Sequence, residues 1–254
     1  IVYQPEMKRQ LLTIRSQVEG ARALSVFAGL NIDIMERSPD AEAAKMAELT
    51  VALLTPVIKA HFSDLGMSST LSAQQIYGGH GYVREHGMEQ LVRDCRIAPI
   101  YEGTNEIQAL DLVSRKITGR MTDFANEFLG GWMTYLEDSK AGDNGELAAA
   151  ARAAMQRLIE VTGWIQARAA AGEDATLRGS ATRYLRLFAL TIIGALWTQV
   201  IDSITDKQGD FYDVKRKLAR FYMQQVLPET EFLAGVIMNG ADALADFDVA
   251  DFGA

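Results

Sequence analysis

The chain has 254 residues, 48% of them hydrophobic and 23% charged, enough length and apolar content for one large globular domain or two ordinary ones. Its 25 basic and 33 acidic side chains give a formal net charge of -8, which argues against nucleic acid and anionic lipid as partners. The single cysteine, Cys95, excludes an internal disulfide and a cysteine-built metal site, and a reducing cytoplasmic compartment is expected.

Residues 1–4 show neither an initiator methionine nor a signal pattern and read as the interior of a longer chain. Five prolines, at 5, 39, 56, 99 and 228, interrupt stretches rich in Ala, Leu, Glu, Arg and Gln, the residues that lose least on entering a helix. From residue 6 to 36, Met7, Leu11, Ile14, Val18, Ala21, Leu24 and Ala28 recur at three- and four-residue steps, one face of a helix that Pro39 ends. Residues 41–76 read as helical again, split in two by Pro56, Gly66 and the serine-rich 67–72. Gly78-Gly79-His80-Gly81 then breaks the period, 89–96 forms a short helix that Pro99 stops, and 97–104 is loop. Thr104 or Asn105 caps the next helix, with Gln108 at capping-box spacing from Asn105.

Beyond Gly119, helices are expected over 121–139, 146–171, 176–204 and 211–243, joined by Gly- and Asp-containing breaks at 141–145, 172–174 and 207–210. The uncharged apolar stretch 187–200 is shorter than the ~20 residues of a membrane span and reads as a buried core helix. The Asp- and Ala-rich tail, 243–254, is expected to order only by docking. No alternating run is long enough for a sheet, so the fold class is all-α, laid out as helical bundles.

The densest cluster of chemically unusual residues is 74–108. Its glycine turn permits positive φ and close backbone approach, so it could receive a phosphate or pyrophosphate with help from the Gln75 amide. Taken alone, the same turn is more often a helix end. Glu102 lies between the apolar Pro99-Ile100-Tyr101 and Gly103, where burial would raise its pKa and make it a usable base. Composition alone favours an exposed loop glutamate. His61, His80 and His86 lack metal-ligand spacing and read as surface or turn residues, so no metal is expected. Cys95 reads as a small packing residue. Phe188, Trp197, Phe211, Tyr212, Phe221 and Tyr222 fall at helical spacing and read as core.

Three linked segments resemble the C-terminal domain of the acyl-CoA dehydrogenase family, in that family's order and spacing. They are Gln75-Ile76-Tyr77-Gly78-Gly79-His80-Gly81-Tyr82, Val92-Arg93-Asp94-Cys95-Arg96-Ile97, and Ile100-Tyr101-Glu102-Gly103-Thr104-Asn105-Glu106-Ile107-Gln108. The Pro-Ile-Tyr-Glu-Gly-Thr form, the segment Leu54-Thr55-Pro56 and the helices after residue 120 are similar to the large bacterial branch that includes 3-methylmercaptopropionyl-CoA dehydrogenases. The resemblance implies a family helical bundle over 1–118 and a second helical bundle, the branch's extension, over 119–254.

It also implies FAD as cofactor, with Glu102 as the base that removes the α-proton of an acyl-CoA thioester while the β-hydride goes to the flavin. Tyr101 and Gly103 would flank the substrate. Gln75, Gly78 and Gly79 fall where the family contacts FAD from a neighbouring subunit, and Thr104 where it contacts a flavin phosphate. Glu106 stands where many members have glutamine, and an acid facing a phosphate is unfavourable. The implied partners are an electron-transferring flavoprotein and further copies of the chain in a homodimer or larger assembly. The domains that cover flavin and substrate in the family lie outside these residues, so the chain alone is expected to be inactive. A second reading makes it a non-catalytic assembly module that helps to shape a partner's FAD site.

Overall fold

The computed structural model describes residues 1–142 and 145–253, so Asp143 and Asn144 of the predicted break at 141–145, and Ala254 of the tail, lie outside the described residues. Among the described residues there is no strand, and the all-α expectation holds.

Helix α1 (Pro5–Arg37) starts with a proline in its first turn, where the absent N–H costs nothing. Helix α2 (Ala41–Ile76) is capped by Asp40, whose carboxylate accepts from the N–H groups of Glu42 at 2.9 Å and Ala43 at 3.2 Å. The predicted split of this segment does not occur: α2 runs unbroken through Pro56. An interior proline costs about 3 kcal/mol. Leu53, Leu54 and Val57 around it are wholly buried, each contributing roughly 1.5–3 kcal/mol, and packing on one face wins over the local breaker.

A single turn, α3 (Gly79–Tyr82), follows, then α4 (Met88–Cys95) and α5 (Asn105–Leu110). From Asp111 to Ile117 the helix widens to a π-type repeat, with the Thr118 N–H bonding the Val113 carbonyl five residues back at 2.9 Å. Then come α6 (Thr122–Asp138), α7 (Glu146–Ala170), α8 (Asp174–Ser203), α9 (Asp210–Gln225), α10 (Glu229–Met238) and α11 (Asp242–Ala245). The expected single helix over 211–243 is therefore divided. Pro228 has no N–H to continue the ladder, and the Val226 and Leu227 N–H groups both turn to the Tyr222 carbonyl.

Helix α8 organises the molecule. By length and composition it could cross a membrane, but 83% of its apolar window is buried inside the protein. Every residue from Leu187 to Thr198 is buried, so this stretch of α8 has no polar face. Helices α1, α2, α5, α7, α9 and α10 pack around it, and one continuous core joins Leu24, Leu53, Leu112, Phe188, Ile193 and Ile237. The α1 contact is close because residue 20 is glycine: a Cβ there would stand 2.4 Å from Ile193 Cγ2 and 2.8 Å from Trp197 Nε1. Trp197 donates to the Ser16 carbonyl at 3.2 Å, and the Tyr222 hydroxyl to the Leu190 carbonyl at 2.9 Å.

Phe188, Trp197 and Tyr222 are core residues as expected, and Phe221 packs at its edge. Phe211 is not; it is 64% exposed at the start of α9, with the Lys215 ammonium over its ring.

Candidate active site

The cluster picked out from the sequence is brought to one end of the bundle. Helix α2 ends in the glycine turn, α3 and α4 lead back along it, and residues 96–104 deliver Glu102 to the start of α5. The loop is stitched by backbone bonds from the Ile100 and Tyr101 N–H groups to the Ile97 carbonyl and from the Asn105 N–H to the Pro99 carbonyl, all of 3.0–3.1 Å.

Glu102 has φ 55, and it is the one non-glycine residue in the left-handed region among those described. A non-glycine residue is held there at a cost of order 1–3 kcal/mol and persists only where its surroundings enforce it. Gly103 follows at φ 83. The enforcing contacts fall on carbonyls: Gln108 Nε2 donates to the Glu102 carbonyl at 3.0 Å, and Lys59 Nζ to the Gly103 carbonyl at 2.7 Å. No hydrogen bond or ion pair engages the Glu102 carboxylate among the described residues. Burial against apolar neighbours was expected, but Glu102, Tyr101 and Gly103 are all exposed, because no element among the described residues packs over them. Tyr77, Tyr82, Leu91, Ile97, Ile100, Tyr101 and Ile107 add a largely apolar exposed surface on these same elements, of the kind that marks a contact with another molecule or domain.

Capping of α5 differs from expectation. Thr104 is the N-cap residue without a side-chain cap bond, and Asn105 is buried, its amide spent on α2. That amide donates to the Ala60 carbonyl at 3.2 Å, Ser63 Oγ at 2.9 Å and Asp64 Oδ1 at 2.6 Å, and its oxygen accepts from Lys59 at 2.9 Å. The first turn is served instead by Glu106. Its carboxylate is held below the usual range by the residue's own backbone N–H and then by the Thr104 hydroxyl. It stays ionised at neutral pH, turned back on its own helix.

The glycines separate by cause. Gly78 is at φ 58. Gly81 is buried against the carbonyl of Gln74, 2.3 Å from where a Cβ would stand. Gly79 has neither constraint: its φ is not left-handed, and a Cβ would meet nothing within 4 Å. Its bare backbone faces outward beside the exposed Gln75, and this open, side-chain-free edge fits the close approach of a cofactor such as FAD. His80 and His86 are exposed at the same turn as expected.

His61 is not a surface residue. It is 2% exposed on α2, its Nε2 has no hydrogen-bond partner, and burial, then the Arg186 charge, lowers its pKa to about 3. It lines a cavity of about 320 Å³ between α2, α5, α8 and α10 with Asp64, Asn105, Glu106, Arg183 and Arg186. No local pattern signals this, since a lone histidine on a helix acquires its surroundings only when α8 docks. Lys59 was missed for the same reason, lying over forty residues from the loop it bonds.

Two family models tile the chain. The acyl-CoA dehydrogenase C-terminal domain matches residues 1–117, and the acetyl-CoA dehydrogenase C-terminal-like model matches residues 117–248. Among curated relatives, 3-methylmercaptopropionyl-CoA dehydrogenase of Ruegeria pomeroyi is 33% identical over 96% of this chain and 42% of its own length. A broad-specificity linear acyl-CoA dehydrogenase of Mycobacterium tuberculosis is 29% identical over 99% of this chain and 44% of its own. The chain thus spans about two fifths of these relatives. An acyl-CoA dehydrogenase of Bacillus anthracis, solved in complex with FAD, superimposes with a TM-score of 0.71 over 93% of this chain and 42% of its own, at 19% identity.

Proposed function

We propose, from the premise that this chain belongs to the acyl-CoA dehydrogenase family, that it is the C-terminal part of an FAD-dependent enzyme that oxidises an acyl-CoA to a trans-2-enoyl-CoA. The observation that carries this reading is Glu102: an exposed carboxylate, unpaired, on a loop whose backbone is bonded on consecutive carbonyls. An α-C–H is a weak acid, so its removal needs a base fixed in position and an electron acceptor on the opposite side of the substrate. FAD, when bound, accepts the hydride that leaves the β-carbon.

Each of the chain's own residues then has a task. Glu102 takes the α-proton, and Tyr101 and Gly103 border the thioester. Gln75, Gly78 and Gly79 offer an amide side chain and a bare backbone to the cofactor, and Thr104 a hydroxyl whose one proton turns from the Glu106 carboxylate to reach a phosphate. Glu106 contributes no favourable phosphate contact, because its carboxylate is ionised and already engaged by Thr104. The apolar surface on these elements is covered by the other domains or by a second copy, which excludes water and strengthens the electrostatics at Glu102. Without that cover the isolated chain is inactive. Electrons pass onward to an electron-transferring flavoprotein, in the cytoplasm, from a homo-oligomeric enzyme.

The test is anaerobic bleaching of flavin absorbance in the full-length protein on adding a panel of short- to long-chain acyl-CoAs, beside Glu102→Gln. The unmodified enzyme bleaches with at least one thioester, and the Gln variant retains FAD yet stays oxidised. Equal bleaching by the two proteins overturns the assignment of the base. The assembly-module reading is favoured by the exposed apolar surface and predicts that no thioester bleaches a flavin that is nevertheless bound.

A further inference from the structure

We propose that Lys59 and Gln108 are positioning residues for Glu102, acting as a two-point clamp on the carbonyls of the loop that carries it; this rests on Glu102 being the base. The geometry has three parts. Glu102 is held at φ 55, a conformation its side chain disfavours. Its own carbonyl accepts from Gln108 Nε2 at 3.0 Å, reached from α5 six residues downstream. The next carbonyl, of Gly103, accepts from Lys59 Nζ at 2.7 Å, reached from α2.

Lys59 is itself tied, by a 2.9 Å bond, to Asn105 Oδ1, and the Asn105 amide is anchored on Ala60, Ser63 and Asp64. The loop is thus fastened to the long, rigid α2 on one side and to α5 on the other. Gly103 shares in the device, since a Cβ there would stand 3.2 Å from Gln108 Nε2. Both bonds to the loop end on backbone carbonyls, and no bond of the network ends on the Glu102 carboxylate. A clamp on the carboxylate would compete for the proton acceptor; a clamp on the carbonyls fixes where the carboxylate stands and leaves it free.

A purely structural role for Lys59 and Gln108 makes a different prediction from a positioning role, and the two separate in the reductive half-reaction. In the full-length flavoprotein, Lys59→Met and Gln108→Met each remove the donor while keeping an unbranched side chain of similar reach. Single-turnover flavin reduction is measured per bound FAD, with the acyl-CoA that bleaches the unmodified enzyme fastest, in protiated form and deuterated at the α-carbon.

The clamp predicts reduction slowed ten-fold or more in each variant, since displacement of a base by about 1 Å costs on the order of a hundred-fold. It also predicts a larger α-deuterium isotope effect and an acyl-CoA dissociation constant within about three-fold of the unmodified enzyme. Gln108→Asn, with a shortened donor, tests the reach and recovers none of the rate, whereas Gln108→His, which can still donate, recovers part of it. Reduction per bound flavin that is unchanged in both Met variants, while Glu102→Gln is inert, overturns the clamp and leaves the base standing. Unslowed reduction in Glu102→Gln overturns the base and the clamp together. If a Met variant loses FAD, the other variant and the isotope effect on its remaining flavin decide.

Discussion

Gly79 and Gly81 stand two residues apart, and a Cβ would be tolerated by the fold at the first and not at the second. Gly81→Ala drives a methyl into the Gln74 carbonyl and is expected to cost roughly 1–3 kcal/mol, as other overpacked sites do. Gly79→Ala is expected to change stability by less than about 0.5 kcal/mol, in keeping with an exposed position, while lowering the flavin-to-protein ratio of the full-length enzyme after gel filtration. Thermal unfolding and flavin absorbance read the two effects separately. A flavin ratio unchanged in Gly79→Ala would remove that residue from the cofactor contact. The family resemblance set Gly78 and Gly79 apart as cofactor contacts, but it gave no physical reason for any of the three glycines. The fold distinguishes a glycine needed for φ, one needed for internal space, and one that the chain itself does not need.

At the scale of elements, α2 shows how far pattern reading extends. Its helical character was legible, and so was the stop at the glycine turn, but local breaker chemistry at Pro56 predicted two helices where packing makes one. Pro228 did break its helix, so the presence of a proline alone did not decide the outcome. His61 lies on the α2 face that α8 covers, and its burial has a measurable consequence. Its pKa falls from the ordinary 6.5 to about 3, through burial and then the Arg186 charge. Between these values the unfolded chain binds a proton that the folded chain refuses, so stability is fully present above pH 6.5 and is lost as the pH falls towards 3. From pH 6.5 to 4.5 this one group removes roughly 2 kcal/mol. His61→Leu is expected to flatten the slope by that amount in chemical denaturation at the two pH values. Parallel slopes would show that His61 is protonated in the folded protein.

For the whole molecule, the family models meet at residue 117, and the family resemblance implied two bundles, 1–118 and 119–254. We propose that this boundary separates two sequence families without separating two folding units. The core passes through α8, whose Phe188 and Ile193 are wholly buried in a cluster that includes Leu24 of α1, Leu53 of α2 and Leu112 beyond α5. Residues 1–118 expressed alone should therefore lack a cooperative unfolding transition and bind a hydrophobic dye, by calorimetry and fluorescence, whereas 1–254 unfolds in a single transition. A cooperative, dye-silent 1–118 would make the halves independent. Sequence reading located the helices and the loop with Glu102 because periodicity and turn residues are local. It could not find Lys59, the cavity at His61 or the shared core, because each depends on which helix lies beside which.

The apolar circumference of α8 bears on how the chain is made. Residues 174–203 leave the ribosome after α1, α2 and α7 and before α9 and α10, so for several seconds, at roughly 5–20 residues per second, a helix whose stretch 187–198 is buried on every side has only part of its enclosure. During that interval it offers the same surface to a chaperone, to a neighbouring nascent chain or to a lipid bilayer. Slowing synthesis after residue 203 would lengthen the exposure and divert product into aggregates, while speeding it there would bring α9 and α10 onto the helix sooner and raise the soluble yield. The placement of rare codons is thus a lever on this protein that its finished structure conceals.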